Sequence, residues 1–383
     1  MYHFEPLTAY IDHLHANFLI PAADVMIIQD GETVYRHFAG TSDLEGKVPM
    51  TGKEMYAIYS ATKVSTIAAA MRLIEDGGLA LDDPVEKYLP AYGKLTIKNN
   101  DGTSRPAKNV LTVRHLMSMQ GGLDYDTKRG DVKKVLRKNP EAGTVDIVSA
   151  YAKGPLAFEP GTRYKYSLCH DVLAAVVEKA SGMRYSDYLT EKILAPLGMK
   201  NTTFHPTEEQ DALACRLFMK NDAQDKLIDC GIYPENTLSP NYESGGGGLM
   251  STVEDYAELA YALANFGCGR NGAEILSPES VELMRTPQLR ELQQADFLAT
   301  YPYMRGYTYC LGVRRLMNTE GTLSAKGHFG WDGAAGFYVL SDPENGIAVI
   351  YAQNVLNSRD TFFLIQKQIR DLAYFCLQEG EVN

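Results

Sequence analysis

A serine followed three positions later by a lysine, Ser60-Ala-Thr-Lys63, is the first place in this chain where chemistry can be read. A serine hydroxyl is a weak nucleophile at neutral pH and needs a neighbour to take its proton. The apolar segment 55–59 leads into the motif, and a helix-forming run, 64–75, follows it. That context predicts Ser60 at the start of a helix, with Lys63 one turn later on the same face. A lysine partly desolvated beside the positive end of a helix gives up its proton more readily and can serve as the base. Alone the motif carries little: roughly one S-x-x-K is expected by chance in a chain of this length, and most are a cap and a solvated lysine.

Two later segments add chemistry. Tyr166 stands in a turn after Phe158-Glu-Pro-Gly161 and before a helical run. A tyrosine there can shuttle protons if neighbouring cations lower its pKa, although most of the chain's 24 tyrosines simply pack. Further on, Lys326-Gly-His328-Phe329-Gly330-Trp331-Asp332-Gly333 reads as a strand running into a glycine-rich turn. Gly330 lets another backbone approach, and the amide of Trp331, paired with that of Ser60, would supply the two donors of an oxyanion hole. The competing reading is a buried hairpin with a satisfied core histidine and Trp331 as a packing anchor. Cys169-His170 suggests a thiol nucleophile, but adjacent helical positions point in different directions, and packing is the better reading.

The elements that must position these residues follow from patterning. A helix is predicted at 7–18, then strands at 24–29 and 33–39 joined by Asp30-Gly31, a hairpin signal. Residues 60 to 240 read as mainly helical, with short helices beginning at Asp83 and Thr112 and longer ones at 170–181 and 186–195. Strands return at 335–341 and 346–352 around Asp342-Pro-Glu-Asn345, and a helix with apolar residues at helical spacing closes the chain at 361–378. Strands at both ends imply one antiparallel sheet built from the two termini and flanked by helices, an α+β arrangement with a helical insertion. The predicted division is a sheet domain of 1–75 and 240–383, a helical domain of 76–239, and a site between them. Gly245-Gly-Gly-Gly248 is read as a close-packing or site-lining turn.

Composition narrows the classes. With 383 residues, 45% hydrophobic and 22% charged, the chain can bury a large core. A net charge of −11 with no Lys/Arg cluster argues against nucleic acid. No basic and apolar leader opens the sequence and no run is long enough to span a bilayer, so a cytoplasmic protein without membrane partners is expected. The six cysteines include no C-x-x-C and the eight histidines show no ligand spacing, so neither a metal nor another cofactor is expected.

Taken in order, these motifs resemble the serine β-lactamase and penicillin-binding-protein superfamily, and its class C β-lactamase-like branch of esterases, D-aminopeptidases and acyltransferases in particular. Ser60–Lys63 matches S-x-x-K, Tyr166–Leu168 the Y-x-N position, and His328–Gly330 the K/H-x-G position. The segments 111–123, 158–161 and 246–255 resemble the family too, so the likeness spans about residues 20 to 355. It implies a β-lactamase/transpeptidase-like fold, attack by Ser60 on a carbonyl, acid and base roles shared by Lys63 and Tyr166, and an acyl-enzyme. Leu168 departs from the usual Asn and cannot hold a substrate carbonyl. His328 stands where true β-lactamases carry lysine and would grip a carboxylate less well. Gln120, Tyr56 and Asp332 are further expected pocket residues. The reading is a serine hydrolase of small esters, amides or peptides. A β-lactamase or D-alanyl carboxypeptidase, and a non-catalytic binding protein retaining the fold, are its competitors.

Overall fold

The computed structural model describes residues 2–221, 226–233 and 237–380. Its centre is a seven-stranded antiparallel sheet. The first two strands, β1 (Ala22–Gln29) and β2 (Glu32–Gly40), form the predicted hairpin. Asp30 and Gly31 both have positive φ, 48° and 87°, the backbone that a tight two-residue hairpin turn demands. Helix α1 (Thr62–Glu75) leaves the sheet just after Ser60, and α2 (Cys169–Ser181) packs against it. A second hairpin follows, β3 (Leu217–Asn221) with β4 (Lys226–Gly231), and then α3 (Val253–Ala264). The chain returns to the sheet through β5 (Tyr307–Tyr309), β6 (Arg314–Leu316), β7 (Phe329–Gly330), β8 (Tyr338–Asp342) and β9 (Ile347–Gln353). Helix α4 (Gln366–Gly380) closes it.

In space the strand order is β2-β1-β9-β8-β7-β6-β5, so strands from the two ends of the sequence meet at the β1–β9 pairing. This is the α+β sheet assembled from both termini that the sequence predicts. Alternation along these strands sorts two cores. Met26, Ile28, Ala348 and Ile350 face the inner core beneath α1, α2 and α3. Val25, Ile27, Val349 and Tyr351 face an outer core closed by α4 and the helix Glu5–Asp12. Helix α1 is buried on every side: Val64, Ile67, Ala68, Ala69, Ala70 and Met71 are all fully enclosed. Among the described residues no helix is long and apolar enough to cross a membrane.

Two expectations need correction. The helix at 7–18 is two pieces, Glu5–Asp12 and Leu14–Phe18, because the backbone leaves helical geometry at His13. The stretch read as mainly helical up to residue 240 contains the β3–β4 hairpin, which joins Val355–Leu356 in a separate three-stranded sheet. Strand β4 is largely exposed, so it lacks the apolar alternation by which a strand is recognised.

Candidate active site

Ser60 lies in a single 3-10 turn, Tyr59–Ala61, between a two-residue strand and α1. Tyr59 has φ +46°, a left-handed backbone that costs a non-glycine residue energy and is held by its surroundings. The surroundings are specific: the Ile58 amide donates to Leu249 O (3.1 Å), and the Tyr256 hydroxyl donates to Ala61 O (2.6 Å). Ser60 is thereby fixed at the floor of a cavity of about 470 Å³.

Lys63 is completely buried below it. Its Nζ lies 3.1 Å from Ser60 Oγ, donates to Gly246 O at 2.5 Å, and sits 4.7 Å from the centre of the Tyr166 ring. Desolvation holds the lysine below its ordinary pKa, opposed by the nearby Tyr125 and Asp171. The glycine run makes this packing possible. A Cβ on Gly245 would come within 2.6 Å of His170 O, and one on Gly246 within 2.5 Å of Asp171 Oδ2.

From the other side the Tyr166 hydroxyl donates to Ser60 Oγ at 2.7 Å and accepts from the indole Nε1 of Trp331 at 3.1 Å. Burial raises its pKa, against the Ser60 and Trp331 hydrogen bonds. The ring is sandwiched between Trp331 (centroids 5.7 Å, 26°) and Tyr125 (5.8 Å, 10°), with Tyr301 edge-on at 5.6 Å. Four groups thus form one hydrogen-bonded chain, indole to phenol to hydroxyl to amine. In it the serine proton can move toward the amine form of Lys63, which burial favours, and a leaving group has a phenol to draw from.

The model of the Beta-lactamase family matches residues 7–373. The chain belongs to this family. An uncharacterized protein of Mycobacterium tuberculosis is 30% identical over 348 residues, covering 87% of this chain and 85% of that one. Esterase EstB of Burkholderia gladioli is 27% identical over 370 residues, 91% and 89% of the two chains. Among solved structures, EstCE1, a hydrolase with promiscuous acyltransferase activity, superposes with a TM-score of 0.78 at 24% identity, covering 96% and 97%.

Of the residues singled out in this beta-lactamase-family chain, the structure brings Ser60, Lys63 and Tyr166 together, with the Trp331 side chain joined to them. It does not bring Leu168, Gln120 or His328 to the cavity. Leu168 is 2% exposed in the core, where its amide donates to Asp124 O. Gln120 is spent on Gln288 O (3.2 Å) and Gln293 Nε2 (2.7 Å). His328 is buried against Ser324 Oγ (3.1 Å) and Tyr307, and burial with Arg370 and Arg314 holds its pKa well below the ordinary value. Gly330 is required because a Cβ would meet Val339 O at 1.9 Å, a strand-to-strand contact and not a substrate one. Tyr56 packs edge-on against Phe337, and Asp332 pairs with Arg314 at 2.7 Å, both beneath the surface. The Cys169 thiol contacts Ser167 and His170 contacts Met117 O, as packing requires.

The part of this segment that lines the cavity with Ser60 comes four residues after Gly330. A Cβ on Gly333 would be 2.2 Å from Ile58 O, and Ala334 lines the cavity beside Ser60. In this segment Trp331 carries the side chain that meets Tyr166, and Ala334 is the residue that lines the cavity. Tyr125 is the residue the sequence reading missed. It stacks on Tyr166 and lines the cavity, yet only its place two residues after the family-like segment 111–123 marked it.

Proposed function

We propose that this chain is a serine hydrolase that cleaves small esters or amides through an acyl-enzyme on Ser60. The observation that carries the reading is the unbroken chain Trp331–Tyr166–Ser60–Lys63 at the floor of a cavity. Lys63, in the amine form that burial favours, accepts the Ser60 proton as Oγ bonds to the substrate carbonyl carbon. The carbonyl oxygen becomes an oxyanion held by the Ser60 and Ala334 amides. Tyr166 gives its proton to the departing alkoxide or amine as the bond to it breaks, and the Trp331 N–H steadies the phenolate that remains. The proton on Lys63 then passes to that phenolate, which restores amine and phenol before the second half-reaction. Water then attacks the acyl carbon, its proton passing to the same pair, and the acid leaves with Ser60 restored. Lys63 and Tyr166 act as one coupled acid–base unit. The esterase among the family relatives supports ester chemistry. A purely binding protein would have no use for a desolvated lysine under a hydroxyl that also receives a phenol proton.

The test is a fluorophosphonate probe with a panel of p-nitrophenyl esters and D-amino-acid amides. Ser60→Ala should lose both labelling and turnover, whereas Cys169→Ala should keep both. Turnover that survives Ser60→Ala overturns the proposal.

A further inference from the structure

The walls of the Ser60 cavity say which acyl groups it accepts. Leu217, Met219 and Leu356 line one side, and Tyr59, Tyr125 and Tyr166 much of the rest. No lysine, arginine or histidine is among the described residues that line it. Three cations placed near Ser60 or in or beside the third motif are held elsewhere. Lys63 is sealed beneath Ser60 and bonded to Gly246 O. His328 is buried against Ser324 and Tyr307, and Arg314 is paired with Asp332. Beyond the cavity the apolar wall continues outward. On the β3–β4 hairpin Met219 faces Ile228 across the register, and the two are 42% and 51% exposed. Tyr233, also 45% exposed, adds to this lip.

Resting on the acyl-enzyme reading, we propose that the site takes esters with an uncharged, apolar acyl group and rejects acyl groups that carry a carboxylate. The acyl part is the one that matters, because it stays bonded to Ser60 through both half-reactions and must remain within these walls. A methylene moved from water onto such a wall is favoured about two- to fourfold. A carboxylate in the same place loses hydration and finds no cation to replace it.

The experiment compares p-nitrophenyl hexanoate with the half-ester p-nitrophenyl hydrogen adipate, which has the same chain length but ends in a carboxylate. The acetate and butyrate esters complete the series. kcat/KM should rise from acetate to hexanoate, and hexanoate should exceed the adipate half-ester by about thirtyfold or more. Met219→Lys and, separately, Leu356→Lys should each narrow that ratio by placing a cation on the wall. An adipate half-ester cleaved as fast as hexanoate, in a Ser60-dependent reaction, overturns this inference and leaves the hydrolase reading standing. If no ester is turned over and the fluorophosphonate leaves Ser60 unlabelled, the hydrolase reading falls and this inference with it.

Discussion

Lys63 and Tyr166 are shifted in opposite directions by the same cause. Burial disfavours the ammonium of one and the phenolate of the other, which favours the amine and the phenol, a base and an acid on either side of Ser60. Asp171 works against this on the lysine. A Cβ on Gly246 would lie 2.5 Å from Asp171 Oδ2 and 3.5 Å from Lys63 Nζ, so those two atoms are no more than 6 Å apart. Its Oδ1 accepts from Tyr242 (2.7 Å) and Ser244 (2.5 Å), while Oδ2 has no hydrogen-bond partner among the described residues. Since turnover needs the amine form, kcat/KM should climb with pH through the lysine's depressed pKa. Removing the charge that holds this pKa up, in Asp171→Asn, should move the rising limb to lower pH. An unmoved limb in the pH–rate profile would mean that Asp171 carries no charge at working pH. At this scale the sequence was legible where residue type alone dictates chemistry, as with Ser60, Lys63 and Tyr166. It failed where side-chain direction decides. His328 and Trp331 stand three residues apart in one segment, yet one turns into the core and the other onto Tyr166.

Elements hold these side chains through close backbone approach more than through salt bridges. The run Gly245–Gly248 threads between α1 and α2, where Thr66 Oγ1 donates to Gly245 O at 2.7 Å and Lys63 to Gly246 O. Gly246→Ala should therefore push the Asp171 carboxylate and disturb the lysine. We expect kcat to fall about ten- to a hundredfold and stability by about 1–3 kcal/mol, read from urea unfolding. Gly130→Ala, where an added Cβ meets nothing within 4 Å, should change neither. A wild-type kcat in Gly246→Ala would mean that the glycine is dispensable. The glycine run was visible in the sequence as a turn with a packing purpose, because four consecutive glycines waste backbone entropy unless space demands them. The β3–β4 hairpin was not visible. Arg216 and Asp229 pair across it, and only the adjacent Leu217 and Phe218 are buried, so its sequence shows no alternating apolar face.

Across the whole molecule, the site exists only when the two ends of the chain meet. Ser60 is carried by the segment that follows β2, whereas Trp331 and Ala334 stand between β7 and β8, and the β1–β9 pairing joins these halves in one sheet. That topology was predictable because apolar strands at both termini have no other partners to pair with. The two faces of the sheet, however, should contribute differently. Leu340 is fully buried in the outer core under α4, away from the cavity. Val339, its neighbour, faces the inner core, and its amide donates to Trp331 O at 3.2 Å. Leu340→Ala should cost about 2–5 kcal/mol and lower the midpoint of a single calorimetric transition, while kcat/KM at 25 °C stays within about twofold. Val339→Ala removes less volume and so destabilises less, but it loosens the strand that seats Trp331 and should lower kcat severalfold. Calorimetry and kinetics on the two variants together separate the roles of the two faces. If Leu340→Ala reduced kcat as much as Val339→Ala, the outer core would be coupled to the site, and the sheet would transmit strain between faces that the alternation of its side chains keeps apart.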